Sequence, residues 1–221
     1  MVDILDEVEE DIRHERMIKA VRRYGGFLLL AAVLIVLAVA GQELWQAHRN
    51  RVAQQNATQY LALTQAVDQQ GGTVTPEVAE ATAGKLVAFS ANASEIYKTL
   101  ARMRAAALYA GVNETAKAAS LWTDVAADEA APVLIRDVAN LLWAQRELQT
   151  AKTADLLARL QLMTQQRNPY HGLARELQAM VYLREGNRPM AKSFFEQVQD
   201  DPTVPSGTRS RAAAMLTELN G

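Results

Sequence analysis

The sequence contains no cysteine. The chain can therefore form no disulfide and no thiolate metal site, and it has neither a cysteine nucleophile nor a cysteine that could carry a lipid anchor. Any attachment to a membrane has to be made by the polypeptide itself.

Aromatic residues, glycine and proline are also scarce. Only 6% of the 221 residues are aromatic, and 11 glycines and 6 prolines are too few for a fold with many tight turns. Hydrophobic residues nevertheless make up 49% of the chain, because alanine alone occurs 39 times. Alanine favours helices and adds little to the surface of a β-sheet. We therefore predict an all-α protein and exclude an ordinary all-β domain.

Several classes of function lack their sequence signals. The net charge of -2 excludes a protein that binds nucleic acid through bulk positive charge. The sequence has no GxSxG, HExxH, P-loop or GxGxxG motif, and its only histidines are His14, His48 and His171. We expect no enzymatic activity, no metal, no cofactor and no small-molecule substrate.

Hydrophobic residues are concentrated in one segment. Residues 24–42 include no charged side chain, and as a helix they would be about 28 Å long, close to the hydrocarbon thickness of a bilayer. Residues 27–40 lack the polar stripe that a buried core helix usually keeps. We predict that residues 24–42 form a single transmembrane helix, whose residues at the membrane interface are Arg22, Arg23, Tyr24 and Trp45.

A cleaved signal peptide is the alternative for this segment, because Ala38, Val39 and Ala40 fit the cleavage pattern of small residues. The acidic residues among the preceding 23 do not suit the short basic leader of a signal peptide, so an uncleaved anchor is favoured. Lysine and arginine are more frequent before the apolar segment than after it. The positive-inside rule then places residues 1–23, an amphipathic segment, in the cytoplasm and exports residues 43–221.

Residues 43–93 are predicted to form a membrane-proximal helical hairpin. Its first helix covers residues 45–69 and ends at Gly71 and Gly72. Its second helix begins with Thr75 as the N-cap and Pro76 in the first helical position.

Residues 94–221 repeat a unit of two helices and finish with a closing helix at 208–219. Pro132, Pro169 and Pro205 follow one another at intervals of 37 and 36 residues. In the first and last units, small residues recur at offsets 0 and 12 and aromatic residues at offsets 3 and 16. Small residues let paired helices cross closely, and aromatic rings fill the space beside them. The predicted packing residues are Ala106, Tyr109, Ala118, Trp122, Ala179, Tyr182, Gly186, Ala191 and Phe195.

The units also differ from one another. We expect Gly111 to replace Gly186 in the first unit, in a turn two residues longer. The middle unit, about 133–169, keeps the helical period of apolar residues but loses the aromatic positions. Asn113, Asn168 and Ser206 are the expected helix caps.

The order small, aromatic, glycine, alanine, aromatic, seen from Ala179 to Phe195, resembles tetratricopeptide repeats. The resemblance implies a degenerate α-solenoid of helical hairpins, since the units exceed the usual length of about 34 residues. A simple helical bundle is the alternative.

The organisation of the whole chain resembles the bacterial YfgM family, an ancillary subunit of the SecYEG translocon. An acidic start is followed by a basic juxtamembrane stretch, one apolar segment and an alanine-rich domain of degenerate repeats. The resemblance implies a single-pass protein of the inner membrane with a periplasmic repeat domain. It also implies association with the translocon and with periplasmic chaperones, for example PpiD.

We expect the repeat domain to bind proteins through the first helix of each unit, since solenoids present extended concave surfaces. Methionine and leucine in such a groove adapt to varied apolar peptides. An alternative function is a scaffold for envelope assembly or cell division that never contacts translocating chains. The candidate groove residues are Leu100, Met103, Leu173, Glu176, Met180 and Leu183.

Overall fold

The computed structural model describes residues 3–69 and 74–220. Within these residues every regular element is a helix, which confirms the prediction of an all-α protein. The helices are α1 (Asp3–Asp68), α2 (Pro76–Ser90), α3 (Glu95–Gly111), α4 (Thr115–Ala127), α5 (Val133–Arg146), α6 (Thr153–Gln161), α7 (His171–Arg184), α8 (Arg188–Asp200) and α9 (Ser206–Asn220).

The chain divides into two compact units, Met1–Gln55 and Asn56–Gly221. In the first unit, residues 33–50 are helical and exposed. The second unit begins in the last turns of α1 and includes α2 to α9.

In the second unit the extensive contacts between helices α2 to α9 join each helix to the next one or the next but one. Each of α2 to α8 packs on a neighbour in sequence, and α5, α7 and α9 also touch side by side. A closed bundle would bring distant helices together, whereas a solenoid limits contacts to neighbouring repeats. The contacts therefore favour the solenoid over the bundle for the described residues.

The described helices share three buried cores, each formed by more than one hairpin or by a hairpin and the closing helix. The core between α2 and α5 centres on Leu86 and Trp122, the core between α5 and α7 on Leu156 and Leu160, and the core between α7 and α9 on Phe195. A hairpin cannot bury its apolar face alone, so each unit depends on the next one for burial.

The helix starts follow local chemistry. The hydroxyl of Thr75 accepts a hydrogen bond from the backbone N–H of Val78, as expected for an N-cap before Pro76. Ser206 is the first residue of α9, and the side chain of Asn187, which the sequence analysis missed, caps α8. Asn168 lies two residues before Tyr170, the N-cap of α7, and does not cap the helix. Its amide donates to Asp137 of α5 at 2.7 Å, and its side-chain oxygen accepts from the backbone N–H of Tyr170 at 2.8 Å.

The expected role of Gly111 is wrong. Gly111 is the last residue of α3, and Asn113 takes the left-handed conformation, with φ of 63°, that Gly186 takes with φ of 74°. Asn113 lies four residues after Tyr109, and Gly186 lies four residues after Tyr182. In both turns the backbone N–H of the next residue, Glu114 or Asn187, donates to the carbonyl of that tyrosine at 2.9 Å. The two turns therefore have the same length, because asparagine tolerates the left-handed conformation almost as glycine does.

The longer turn belongs to the middle hairpin. In the first and last hairpins the second helix begins four positions after the last residue of the first helix. In the middle hairpin Thr153 follows Arg146 by seven positions. Arg184 stabilises this long turn by donating to the carbonyls of Leu148 and Ala151 at 2.6 and 2.8 Å. Arg146, at the matching position of α5, donates instead to the side chains of Asn113 and Thr115. An arginine at the end of a first helix thus fastens the turn of the preceding hairpin.

Candidate functional site

An apolar groove of about 680 Å³ opens between α5, α7 and α9, and we call it the α5–α7–α9 groove. Helices α5 and α7 are first helices of their hairpins and α9 is the closing helix, so the groove includes the face of first helices that was predicted to bind proteins. The lining residues are Leu141, Gln145, Leu148, Leu173, Glu176, Leu177, Met180, Arg211, Ala214 and Met215.

Helical periodicity places the α7 residues in the groove. Leu173, Glu176, Leu177 and Met180 recur at intervals of three and four, which puts them on one face of α7. Other faces of α7 carry Ala174, Ala179 and Val181, which are fully buried in the cores beside it. One helix therefore builds the core and the binding surface at the same time.

One ion pair interrupts the apolar lining. Arg211 of α9 donates from Nε to Oε1 of Glu176 at 2.7 Å and from Nη2 to Oε2 at 2.6 Å. The Glu176 side chain is only 9% exposed, whereas that of Arg211 is 56% exposed. The carboxylate of Glu176 raises the pKa of Arg211 above its ordinary value by accepting these bonds. The pair joins α7 to α9 and leaves the groove without net charge from this pair.

The family model of the tetratricopeptide repeat-like domain matches residues 21–213. The chain belongs to this family. No curated protein and no solved structure matches the chain significantly. The repeat part of the sequence prediction is thereby confirmed, while the resemblance to the YfgM family stays a prediction.

A tetratricopeptide repeat-like domain is a scaffold for protein–protein interaction, and three of the six predicted groove residues line its groove: Leu173, Glu176 and Met180. Leu183 does not line the groove, and it packs against the core between α7 and α9. Leu100 and Met103 belong to α3, where Met103 packs on the first core and Leu100 is 36% exposed.

The other seven lining residues of the groove were not predicted from the sequence. Leu177 follows Leu173 by one turn and could have been found from periodicity alone. Arg211 and Met215 of α9 and Leu148 of the α5–α6 turn carry no such signal, since only packing brings them beside α7.

The predicted packing residues of the tetratricopeptide repeat-like units lie in the hairpin cores or their turns. Tyr182 is half-buried and stacks on Phe194, with ring centroids 5.4 Å apart, and Gly186 forms the α7–α8 turn. The remaining seven, each exposed by 9% or less, are Ala106, Tyr109, Ala118, Trp122, Ala179, Ala191 and Phe195.

A buried polar cluster fixes the wall of the groove that α9 forms. His171 Nε2, at the start of α7, lies 3.2 Å from Oδ2 of Asp201 in the α8–α9 loop. Arg175 donates to the same oxygen at 3.3 Å. Hydrogen bonds from the hydroxyl and the backbone amide of Thr203, with a smaller effect of His171, hold the pKa of Asp201 below its ordinary value. This cluster therefore anchors the loop that leads into α9.

Among the described residues, no group of three or more histidine, cysteine, aspartate or glutamate side chains is arranged to hold a metal ion. In the same residues, no helix combines the length and the hydropathy that crossing a membrane requires. The structure does not describe the side chains of Arg22, Arg23 and Tyr24, so their place at a membrane interface stays a prediction. Trp45 is 59% exposed, and the guanidinium of Arg49 lies 4.6 Å from its ring centroid.

Proposed function

We propose that the chain is a non-enzymatic protein-binding subunit, anchored in a bacterial inner membrane, whose periplasmic repeat domain assists exported proteins at the translocon. The observation that carries the binding role is the α5–α7–α9 groove, an apolar surface formed by two first helices and the closing helix of a tetratricopeptide repeat-like domain. Solenoids of this type use such surfaces to bind other proteins.

The compact unit Met1–Gln55 supports the proposed membrane anchor. Val33, Leu34, Ile35, Val36 and Leu37 are consecutive in a helix, and each is 51% to 66% exposed. Successive residues of a helix are about 100° apart, so five of them surround its axis with apolar side chains. A helix that is apolar all round suits a surrounding of lipid.

The translocon and chaperones such as PpiD are proposed as partners because the order of segments resembles the YfgM family. Anchoring would also contribute to binding, since a tethered groove meets membrane-bound partners at a raised effective concentration. The competing function is a scaffold for envelope assembly or cell division.

Photocrosslinking in living cells distinguishes these two functions. A crosslinker at Met180 or Met215 in the groove is expected to capture translocon subunits, PpiD or exported chains. Gln197 of α8, which is exposed and outside the groove, provides the matched control position. Capture of division or outer-membrane assembly proteins alone would support the competing scaffold and refute the translocon assignment.

Topology needs a separate experiment. A reporter that is active only outside the cytoplasm, fused after Gly221, should be active in the full chain. The same reporter fused before the start of the apolar segment should be inactive. An inactive fusion after Gly221 would overturn the proposed orientation.

A further inference from the structure

We propose that the α5–α7–α9 groove takes the apolar face of an amphipathic helix, about two turns long, that carries an acidic residue opposite Arg211. The inference rests on the proposed function, because it names the kind of segment that a protein partner inserts into this groove.

The length of the groove favours a helix. Leu173 and Met180 mark its extent on α7, and seven residues of helix correspond to about 10 Å, or two turns. An extended segment of that length has about three residues, of which one or two point to the same side. Two turns of an amphipathic helix direct about four apolar side chains, at i, i+3, i+4 and i+7, to one side. Along α7, a helix therefore directs more apolar side chains into the groove than an extended segment does.

The lining suits apolar side chains of different shapes. Seven of its ten residues are leucine, methionine or alanine. Met180 of α7 and Met215 of α9 both line the groove. Methionine is unbranched and flexible, so these two side chains can adjust to leucine, phenylalanine or methionine in a bound helix.

Charge decides which polar group the helix carries. Glu176 and Arg211 are the two charged residues of the lining, and both oxygens of Glu176 already accept bonds from Arg211. Arg211 also donates from Nη2 to Thr208 at 3.3 Å. Within the described residues its Nη1 makes no hydrogen bond, and more than half of the side chain is exposed. The accessible charge in the groove is therefore positive, and it complements a carboxylate.

A basic residue at the same position of the bound helix would be disfavoured. It would approach the guanidinium of Arg211, and the carboxylate of Glu176 beneath is buried and already paired. Separating Glu176 from Arg211 would leave a buried charge without its partner, which is strongly unfavourable. The pair thus selects acidic over basic helices.

The experiment measures the binding of three labelled peptides to the full chain in detergent micelles by fluorescence anisotropy. Each peptide is an alanine-rich helix with leucine at i, i+3, i+4 and i+7, and they differ only in glutamate, glutamine or lysine one turn beyond the leucines. We expect the glutamate peptide to bind about tenfold more tightly than the glutamine peptide, with the lysine peptide weakest. The advantage of glutamate should shrink as salt is added.

A paired substitution tests the role of Arg211 without leaving Glu176 as a lone buried charge. Glu176→Gln with Arg211→Met keeps the side-chain volumes and removes both charges. This variant should bind the glutamine peptide as the parent chain does and should lose the preference for glutamate. Lys192→Met removes one exposed positive charge from α8, outside the groove, and should keep the preference. Circular dichroism of each variant checks that the helices are intact.

The outcomes separate the inference from the proposed function. Equal binding of the glutamate and glutamine peptides would overturn the acidic partner and leave the groove as a protein-binding site. Equal binding of a peptide with proline in the middle of its helix would overturn the helical partner. If none of the peptides binds while Met180 still crosslinks proteins in cells, the inference fails and the proposed function stands. If neither occurs, both fail.

Discussion

The middle and last hairpins occupy equivalent positions with residues of different size. Where the last hairpin has Ala179 and Ala191, the structurally equivalent residues of the middle hairpin are Leu141 and Leu156. Conversely, Ala144 of the middle hairpin stands where the last has Tyr182, and Leu160 stands where the last has Phe195.

This exchange shows why the middle unit loses the sequence signature without losing the fold. Packing depends on the volume that facing residues fill together, so leucines can replace an alternation of alanine and aromatic residues. A search for aromatic positions misses such a unit, although its core is as buried as the others.

The largest effect is expected from breaking the middle core at Leu156. Leu156→Ala introduces the residue of the last hairpin without the aromatic ring that accompanies it there, so a cavity remains. We expect a loss of about 4 kcal/mol in the free energy of unfolding. Urea denaturation of the full chain measures it, and hydrogen exchange should show the change in α5 and α6. Leu162→Ala, at a position that is 69% exposed, is the control. A loss below about 1 kcal/mol at Leu156 would show that the equivalence of the two cores is wrong.

The middle and last hairpins also differ at the start of their first helices, α5 and α7. A Cβ atom on Gly172 of α7 would lie 2.6 Å from Cγ1 of Val204, which is buried, whereas the equivalent Leu134 of α5 is 49% exposed. We expect Gly172→Ala to cost about 2 kcal/mol, because the α8–α9 loop has to shift. Gly207→Ala, in the first turn of α9 with open space around it, should be neutral or stabilising in the same assay. Val204→Ala should recover part of the loss in the double variant.

The two turn-fastening arginines should differ in importance. Arg184 donates to two backbone carbonyls of the long middle turn, whereas the acceptors of Arg146 are side chains. A carbonyl held in a turn loses its partner outright, while an exposed side chain can turn to water. We expect losses of about 2 kcal/mol for Arg184→Ala and about 1 kcal/mol for Arg146→Ala in thermal unfolding. Because Leu148 lines the groove, Arg184→Ala should also weaken peptide binding, and equal effects of the two variants would contradict this account.

The smallest expected effect on the free energy of unfolding concerns the loops after α6 and α8, and it depends on pH. Met163 anchors the loop after α6 by apolar burial, whereas Asp201 anchors the loop after α8 through Thr203 and His171. The pKa of Asp201 is lower in the folded chain than in the unfolded chain. Its carboxylate therefore stabilises the fold above the ordinary pKa of about 3.9, and the contribution is lost as the pH falls through the folded pKa.

We expect Thr203→Val to cost about 0.5 to 1 kcal/mol at neutral pH and progressively less below about pH 4. Thermal unfolding at a series of pH values measures the difference from the parent chain. Thr217→Val removes a hydroxyl that bonds a carbonyl of its own helix, so its effect should not change with pH. A pH-independent difference at Thr203 would argue against the carboxylate as the cause.

Local patterns predicted the helices better than they predicted the turns. Thr75 with Pro76 marked the start of α2 correctly, because an N-cap acts within one turn of its helix. Gly111 was misread because residue identity suggested the left-handed position, while the hydrogen bonds show that Asn113 occupies it. Half of the predicted groove residues line the groove, since periodicity identifies the face of α7 but not the neighbours it meets.

The sequence by itself determined the helical class, the spacing of the repeats and the apolar character of residues 24–42. Each of these depends on residues close together in the chain, through backbone propensity and helical periodicity. Only the tertiary structure decided that α5, α7 and α9 lie side by side, which turn is long, and that Arg211 meets Glu176 from 35 residues away. Such contacts depend on how the volumes of three helices fit together, and no single segment contains that information.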